Sequence, residues 1–359
     1  MNIKKITALM CAFLILVGSF AGCGNSAQSS SQAATQPECE LSSSAAAAPT
    51  EAAKPEEKQP IAVNVMALKG PTAMGMVEFM QNCDEGKVTS NDYNFTIAAA
   101  ADEVTPKLVK GEADIAAVPA NLASVLYNNT KGEIKVLAVN TLGVIYIVES
   151  GENVKSVSDL KGKTIYASGK GATPEYALNY ILTENNIDPV KDVTIEWKSE
   201  HAECLAALMA NEDAIAMLPQ PFVTTAQMKN ENIRMALDLT EEWEKLQESD
   251  NPSMMITGVV VGRKAFIEEN PDAVADFLEN YEKSVKFVNE NVEQAAELVG
   301  KYEIVPAPVA KAAIPHCNIT FIAGEQLKTA FSGYLQVLFE QNPKAVGGAM
   351  PNDDFYFAG

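Results

Sequence analysis

The sequence predicts an α/β protein built from two similar lobes, because two unrelated segments recur at nearly one spacing. Lys69-Gly70-Pro71-Thr72, the first cradle, matches Lys170-Gly171-Ala172-Thr173, the second cradle, at an offset of 101 residues. Residues 111–119 (GEADIAAVP) align without a gap with residues 211–219 (NEDAIAMLP), at an offset of 100. Two such matches indicate an internal duplication. A unit of this length is a lobe rather than one repeat of a solenoid.

Within each half, apolar β-like segments alternate with segments of helical periodicity. The predicted strands are residues 61–68, 94–98, 114–118, 164–167, 193–197, 214–218 and 234–239. The predicted helices are residues 72–82, 103–110, 121–127, 174–184, 201–210 and 222–229. Strands followed by helices predict a mostly parallel sheet in each lobe, with helices on both faces.

The chain is expected to pass twice between the lobes. Residues 134–148 contain two apolar runs, and we place the first crossing at their end; the apolar run at 254–262 crosses back. The first lobe is then residues 60–148 and 257–359, and the second is residues 149–256. The rest of the chain predicts helices that pack on the first lobe's sheet, before a surface tail at residues 347–359. These helices are residues 266–288, 292–302, 309–313 and 324–339.

The N-terminus reads as a signal peptide followed by a tether. Two lysines precede an apolar run at residues 8–20, which is too short to favour a membrane-spanning helix. Phe20-Ala21-Gly22-Cys23 resembles the bacterial lipobox, which implies that residues 1–22 are removed and that Cys23 carries lipid. The alternative is an ordinary secretory signal. Residues 23–59 are poor in large apolar side chains, so we expect a disordered tether to the outer face of the cell membrane.

Composition limits the partners and the chemistry. The net charge of −20 should repel nucleic acid. The chain contains only two arginines, so a cluster of arginine forks is excluded and an anion must be held by main-chain amides, hydroxyls or lysine. Cys83, Cys204 and Cys317 lie far apart, without zinc or disulfide spacing. We therefore expect neither a metal nor a cofactor.

The two cradles are the first candidates for a binding site. A strand that ends in Lys-Gly-X-Thr before a helix offers free N–H groups, a flexible glycine and a hydroxyl. The loops at residues 119–121 and 219–221 follow neighbouring strands, where open α/β sheets tend to bind ligands. The candidates are Lys69, Gly70, Pro71, Thr72, Pro119, Asn121, Gly171, Ala172, Thr173, Pro219 and Gln220. The alternative is that the cradles are plain helix N-caps and the lysines are only solvated.

Several of these segments resemble the solute-binding proteins of ABC transporters. They are residues 159–164 (DLKGKT), 111–119, the partner block that ends in LPQPF, and the helix at 266–287 with Asn270-Pro271. The likeness is greatest to the nitrate, sulfonate and taurine group, which also holds the thiamine-precursor binders. It implies a type II periplasmic-binding-protein fold, a flytrap with two interlobe crossings. It also implies ligand contacts from Ser199 and Glu200, which otherwise read as a solvated helix start.

The expected function is that of a lipid-anchored, monomeric receptor. It would capture a small organic solute or oxyanion in the interlobe cleft and deliver it to the permease of an ABC importer. Two alternatives remain open, an enzyme on the same fold and a surface sensor. No nucleophile is paired with a base in either cradle, so no catalytic residue is assigned. The identity of the ligand stays open.

Overall fold

A computed structural model describes residues 59–247 and 253–359. All of these residues belong to one compact unit of the chain, Glu57–Gly359. The predicted signal peptide, the lipidation site at Cys23 and nearly all of the tether lie outside the described residues. None of the helices in the described part of the chain is both long and apolar enough to cross a bilayer.

The elements follow the predicted order closely. The strands are β1 (Ala62–Leu68), β2 (Asp92–Ala98), β3 (Ile115–Pro119), β4 (Ile134–Leu142), β5 (Ile145–Ser150), β6 (Thr164–Ser168), β7 (Thr194–Lys198), β8 (Ile215–Pro219), β9 (Ile233–Asp238), β10 (Ile256–Arg263) and β11 (Ile319–Ile322). The α-helices are α1 (Pro71–Met74), α2 (Val77–Asp84), α3 (Ala101–Lys110), α4 (Ala120–Thr130), α5 (Thr173–Glu184), α6 (His201–Ala210), α7 (Phe222–Lys229), α8 (Leu239–Glu244), α9 (Lys264–Glu269), α10 (Pro271–Glu290), α11 (Val292–Lys301), α12 (Ala307–Ala313) and α13 (Glu325–Gln341).

The strands form two separate sheets, one for each predicted lobe. The first sheet has the order β11-β4-β10-β3-β1-β2, and the second has the order β7-β6-β8-β5-β9. Strands from both ends of the described chain build the first sheet, and strands from its middle build the second. The predicted two-lobed α/β architecture is confirmed.

The register of the strands repeats between the lobes. Val65 pairs with Ile115 across β1 and β3, and Ile165 pairs with Ile215 across β6 and β8, so both partners are offset by 100 residues. The neighbouring pairs also correspond, because β2-β1-β3-β10 in the first sheet matches β7-β6-β8-β5 in the second. The repeated sequence segments therefore occupy equivalent places in two copies of one strand arrangement.

The expectation of mostly parallel sheets is wrong. Strand β1 is parallel to β2 and β3, but β10 runs antiparallel to β3 and β4, and β11 runs antiparallel to β4. In the second sheet, β6 is parallel to β7 and β8, whereas β5 is antiparallel to β8 and β9. The reason is that β5 and β10 each enter from the other lobe, so neither is tied to its neighbours by a crossover within one sheet, which is what parallel pairing requires.

The crossings lie close to their expected places. Strand β4 ends at Leu142 in the first sheet and β5 begins at Ile145 in the second, so the first crossing consists of Gly143 and Val144. The boundary expected at residue 148 falls inside β5. On the return, β10 begins at Ile256, one residue before the expected start of the first lobe. Two adjacent apolar runs look alike in sequence, and only their pairing assigns them to different sheets.

Most of the C-terminal helices join the first lobe, as predicted, but α13 lies against both lobes. Phe277 and Tyr281 of α10 share a core with Phe79 of α2. In contrast, the ring of Tyr334 on α13 lies 5.5 Å from the ring of Trp243, which follows the second lobe's sheet. Helix α13 therefore links the two lobes through a shared apolar cluster.

The C-terminal segment is not the surface tail that the sequence predicts. Phe355 is fully buried and its ring lies 5.0 Å from that of Tyr127. The main-chain N–H of Phe357 donates to the carbonyl of Val136 in β4, at 2.9 Å. Strand β11 and helix α8 were also not predicted, since they contain only four and six residues.

Candidate functional site

The two lobes meet at the starts of helices α4 and α5. Asn121 lies in the first turn of α4, on the first lobe, and Thr173 is the first residue of α5, on the second. Thr173 Oγ1 lies 3.5 Å from Asn121 Oδ1, and both residues are buried. The hydroxyl can donate to the amide oxygen at the long end of the hydrogen-bond range. One residue of the second cradle thus contacts a predicted loop of the opposite lobe.

Around Gly258 of β10, the other first-lobe candidates come together. Gly258 pairs with Pro119 in the sheet. A Cβ atom on Gly258 would lie 2.8 Å from Thr72 Cγ2 and 2.5 Å from Asn140 Oδ1, so only glycine fits there. Thr72, Pro119 and Asn140 therefore surround one point at the end of the first sheet. Pro119 leads into Asn121 of α4, which contacts Thr173 of the second lobe.

Helices α4 and α5 begin without a side-chain cap. In the described part of the chain, no side chain caps α4 at Pro119 or α5 at Ala172. By contrast, Glu103 and Glu203 bond back to the starts of α3 and α6. Uncapped starts leave main-chain N–H groups available, and the positive end of the helix dipole favours an anion there.

Three predicted residues take no part in this meeting point. The N–H groups of Ser199 and Glu200 both donate to Glu203 Oε2, at 2.8 and 3.2 Å, and both residues are exposed. Together with Glu203 they form a capped helix start. Gly171 is also exposed, and its N–H donates to Glu175 Oε2 at 2.6 Å. Its main-chain donor is therefore occupied.

Gln220 and Pro219 lie at the first crossing. Pro219 pairs with Ile145 in the second sheet, and the N–H of Gln220 donates to the carbonyl of Val144 at 2.9 Å. Gln220 Oε1 accepts from the N–H and the hydroxyl of Thr224, at 3.2 and 2.8 Å. Gln220 Nε2 is buried and has no partner among the described residues. The side chain thus keeps one donor beside the crossing.

Lys69, Gly70 and Thr72 keep the geometry of a strand-to-helix turn. Gly70 has φ 129°, a left-handed conformation that L side chains rarely adopt. Thr72 Oγ1 donates to the carbonyl of Leu68 at 2.7 Å, which leaves its lone pairs as acceptors. The side chain of Lys69 is exposed. The first cradle is therefore formed, with its lysine in solvent.

Asn140 and Tyr281 lie beside this site and were not predicted. Asn140 Nδ2 and the Tyr281 hydroxyl are both buried, and neither has a close, well-aligned hydrogen-bond partner within residues 59–247 and 253–359. Burial raises the pKa of Tyr281, and a hydrogen bond with the Asn140 side chain lowers it in part. A signal for Asn140 exists, since Asn140-Thr141 is a polar pair at the end of an apolar strand. Nothing distinguishes Tyr281 from the other aromatic residues of its helix.

A serine–histidine pair in the second lobe was also missed. Ser168 Oγ lies 2.5 Å from His201 Nδ1, and the His201 ring lies 5.2 Å from the ring of Phe222. Burial lowers the pKa of His201. A nucleophile and its base make such a contact. Ser168, however, is only 2% exposed, so its hydroxyl is not accessible to a substrate in this structure.

Both arginines are held in ion pairs within the lobes. Arg234 pairs with Glu149 in the second lobe, and Arg263 pairs with Asp114 in the first at 2.6 Å. The two carboxylates are buried, with side-chain exposures of 1% and 8%. Neither arginine is therefore free to supply a cation at the meeting point of the lobes. Among the described residues, no group of three or more His, Cys, Asp or Glu residues is placed to hold a metal.

Comparison with known families decides the class of the protein. A family model described as the periplasmic substrate-binding protein of a phosphonate ABC transporter matches residues 86–307, which is more than half of the chain. The chain belongs to this family. The predicted resemblance to solute-binding proteins of ABC transporters is thereby confirmed. The family description names phosphonate, a ligand that the resemblance seen in the sequence did not imply.

Individual relatives of this periplasmic substrate-binding protein are distant. It is 24% identical over 177 residues to a putative binding protein of Brucella abortus. This alignment covers 49% of this chain and 52% of the relative. The chain thus spans about half the length of that curated relative.

Solved structures resemble the substrate-binding protein over a larger part of the chain. An ABC transporter protein of Parabacteroides distasonis superimposes with a TM-score of 0.69 at 22% identity, over 82% of this chain and 98% of that one. The periplasmic aliphatic sulphonate binding protein SsuA of Escherichia coli gives a TM-score of 0.66 at 18% identity, over 83% and 92%. The predicted type II binding-protein fold is confirmed.

Proposed function

We propose that this protein is a lipid-anchored substrate-binding subunit of an ABC importer. It captures a small organic solute or oxyanion between its lobes and delivers it to a membrane permease. Family membership supplies the class, and the contact between Thr173 and Asn121 is the observation that carries the location. A group from each lobe reaches the same point, beside two helix starts that no side chain caps in the described chain.

The proposed capture mechanism follows from the two-lobed arrangement. A ligand that contacts both lobes stabilises the closed form over the open form, because only the closed form offers both sets of donors. The permease then recognises the closed form. We propose as ligand residues those that lie at or beside the meeting point. They are Lys69, Gly70, Pro71, Thr72, Pro119, Asn121, Ala172, Thr173 and Gln220.

The proposed ligand is held mainly by hydrogen bonds, and Lys69 is the one cation among the proposed ligand residues. Both arginines are already paired with buried carboxylates. Hydroxyls, amides and helix N-termini bind an oxygen acceptor without a cation. Sulphonate, the ligand class named for SsuA of Escherichia coli, fits such a site. We therefore place singly charged oxyanions and neutral solutes ahead of multivalent anions.

Ligand screening tests the proposal directly. The dialysed protein would be heated with methanesulfonate, taurine, nitrate and methylphosphonate at millimolar concentrations. A true ligand raises the melting temperature, since a concentration of 100 times Kd adds about 2.7 kcal/mol of stability. Native mass spectrometry of the undialysed protein would reveal any co-purified solute. No shift with any compound and no co-purified solute would contradict the proposal.

The same material separates binding from catalysis. If the protein only binds, the bound solute is recovered unchanged after prolonged incubation. Conversion that disappears in Ser168→Ala would favour the enzyme alternative, because Ser168 and His201 make the contact expected of a nucleophile and base.

Lipid anchoring at Cys23 forms part of the proposal and needs its own test. Cells producing the wild type and Cys23→Ala would be labelled with palmitate and fractionated. We expect label and membrane association in the wild type, and loss of both in the variant, since two or more acyl chains give stable anchoring. Membrane-bound, unlabelled wild type would contradict this part.

A further inference from the structure

The second lobe carries an open groove between helix α5 and β7, the strand at one edge of its sheet. The cavity in this groove measures about 460 Å³. Asn179 of α5 lines one side, and Val193, Ile195 and Trp197 line the other. Val190, in the turn before β7, completes the wall and is 86% exposed, the largest exposed fraction among the large apolar side chains of the described chain. The groove therefore offers apolar surface to the outside of the protein.

The internal duplication shows which surface of the first lobe corresponds to this groove. Helices α2 and α5 end 100 residues apart, and β2 and β7 pair with β1 and β6 at the same offset. The counterpart of Asn179 is therefore Phe79, and the counterpart of Val193 is Tyr93. In the first lobe the rings of Phe79 and Tyr93 lie 4.8 Å apart and belong to a buried core. The same surface is thus covered in one lobe and open in the other.

The element that covers this surface in the first lobe is the amphipathic helix α10. The ring of Phe277 lies 5.8 Å from that of Phe79, which is only 1% exposed. The hydroxyl of Ser284 accepts from the N–H of Phe79 at 3.1 Å, and Asp276 accepts from the hydroxyl of Tyr93 at 2.6 Å. One helix thus supplies both an apolar face and an acidic side chain. None of the described helices fills the equivalent groove of the second lobe, since the groove is open.

The charged side chains of the groove complement an acidic partner. Lys170 and Glu175 both line it. Glu175 Oε2 already accepts from the N–H of Gly171 at 2.6 Å. Lys170 is exposed and forms no ion pair among residues 59–247 and 253–359. Because the chain carries a net charge of −20, an unpaired lysine at a partly apolar groove is a local exception, and it complements a carboxylate supplied from outside.

We propose that the groove between α5 and β7 docks an amphipathic helix of a partner protein. The helix packs apolar side chains against Val190, Ile195 and Trp197 and places an acidic side chain beside Lys170. Docking of a helix through apolar side chains spaced by three or four residues is a common mode of recognition. The occupant is a helix because α10 covers the equivalent surface within the chain itself. None of these residues is a proposed solute ligand, so the inference does not rest on the proposed function.

The competing explanation is that the groove is only a solvated surface. Asn179 stands where the first lobe has Phe79, so the second lobe needs less cover than the first. Single exposed apolar residues such as Val190 are also normal on protein surfaces. The two explanations differ in a measurable way, because a solvated surface has no preference for a helix with an apolar face.

The probe is a synthetic peptide with the sequence of residues 270–290, which includes α10. A lactam joins Glu279 and Lys283, which form an exposed ion pair one helical turn apart, so the helix is fixed without a change to its apolar face. The full chain would be titrated with this peptide and followed by tryptophan fluorescence. Trp197 reports on the groove, since Trp243, the other tryptophan of the chain, is fully buried. We expect a saturable change in fluorescence.

Variants of the protein locate the binding. Val190→Asp places a charge on the apolar wall, and Lys170→Gln removes the cation. Val109→Asp is the matched control, because Val109 is an exposed valine of the first lobe. We expect Kd to rise by about tenfold in Val190→Asp, by about threefold in Lys170→Gln and by less than about twofold in the control. A peptide that carries Phe277→Ser and Tyr281→Ser loses its apolar face and should not bind.

Each outcome supports or overturns the docking groove. Binding that Val190→Asp weakens and Val109→Asp does not supports it. No change in fluorescence at millimolar peptide overturns it, and so does a Kd that stays within about twofold in Val190→Asp. Equal binding of the peptide without its aromatic residues also overturns it. Should Val190→Asp not fold, judged by circular dichroism, Val190→Ser takes its place. The solute screen is separate, so the proposed function stands or fails without regard to these results.

Discussion

The two cradles occupy equivalent places in the duplicated plan, but their contacts differ. In the first lobe the Thr72 hydroxyl donates to the carbonyl of Leu68, within its own turn. In the second lobe Thr173 is buried and faces Asn121 of the other lobe. The glycines differ as well, because Gly171 gives its N–H to Glu175. At the position equivalent to Glu175 the first lobe has an apolar residue, Met74.

This difference suggests a division of labour between the lobes. Buried side-chain groups without a close partner in the described chain occur in both lobes, at Asn140 and Tyr281 in the first and at Gln220 in the second. The cradles differ more clearly, because the second satisfies its glycine internally and directs its threonine to the other lobe. We therefore expect the second cradle to bridge the two lobes and the first cradle to act within its own lobe. The duplicated strand order thus places the two cradles at equivalent positions, and a few side chains decide which contacts each cradle makes.

The largest expected effect concerns a feature that the lobes share. Arg234→Met and Arg263→Met each leave a buried carboxylate without its cation, which costs about 3–5 kcal/mol of unfolding free energy. The loss should be greater for Arg234, because Glu149 is less exposed than Asp114. Urea unfolding of both variants measures this difference.

The matched control for the arginine variants is an exposed ion pair. Lys191→Met breaks the pair with Asp188, in which the lysine side chain is 81% exposed, and should cost much less than either arginine variant because water screens the pair. If either arginine variant lost no more unfolding free energy than this control, the buried carboxylate would not depend on its arginine. The two lobes would then not share this source of stability.

A moderate effect is expected from the contact that distinguishes the cradles. A double-mutant cycle of Thr173→Val and Asn121→Ala should show a coupling of about 0.5–1.5 kcal/mol in ligand affinity, since the two groups share one hydrogen bond. A parallel cycle of Thr72→Val with Asn121→Ala should show little coupling, because Thr72 bonds within its own turn. Isothermal titration with the solute found in the screen provides the affinities. Equal coupling in both cycles would remove the proposed distinction.

The smallest effect is a pH dependence confined to the second lobe. Helix α6 begins with His201, whereas the equivalent helix α3 begins with Ala101. Burial lowers the pKa of folded His201 below its ordinary value of 6.5. Between the folded and unfolded pKa values the unfolded chain binds more protons, so this contribution is complete above about pH 6.5 and is lost as the pH falls. His201→Gln should therefore lose less stability on acidification.

The measurement for His201 is the unfolding free energy of both proteins at several pH values between about 5 and 8. Carboxylates titrate in both proteins, so only the difference between the two curves reports on His201. Parallel curves would show that the buried ring is not linked to folding in this way.

Much of the strand and helix order could be read from the sequence. Helix α7 has the predicted bounds, and β1, β6 and β8 differ from prediction by one residue at most at each end. Local hydrophobic periodicity, together with the glycines and prolines that interrupt helices and strands, is enough to predict these bounds, because both signals act over a few neighbouring residues. The duplication also fixed the two lobes, since each copy carries its own strand pattern.

The tertiary structure alone decided the direction of the joining strands and the depth of the site. The antiparallel entry of β5 and β10, the burial of Phe355, and the position of α13 against both lobes depend on contacts between residues far apart in sequence. The same holds for Asn140 and Tyr281, which are separated by 141 positions and meet only in the folded protein. Sequence periodicity reports which face of an element is buried, but not which other element covers it.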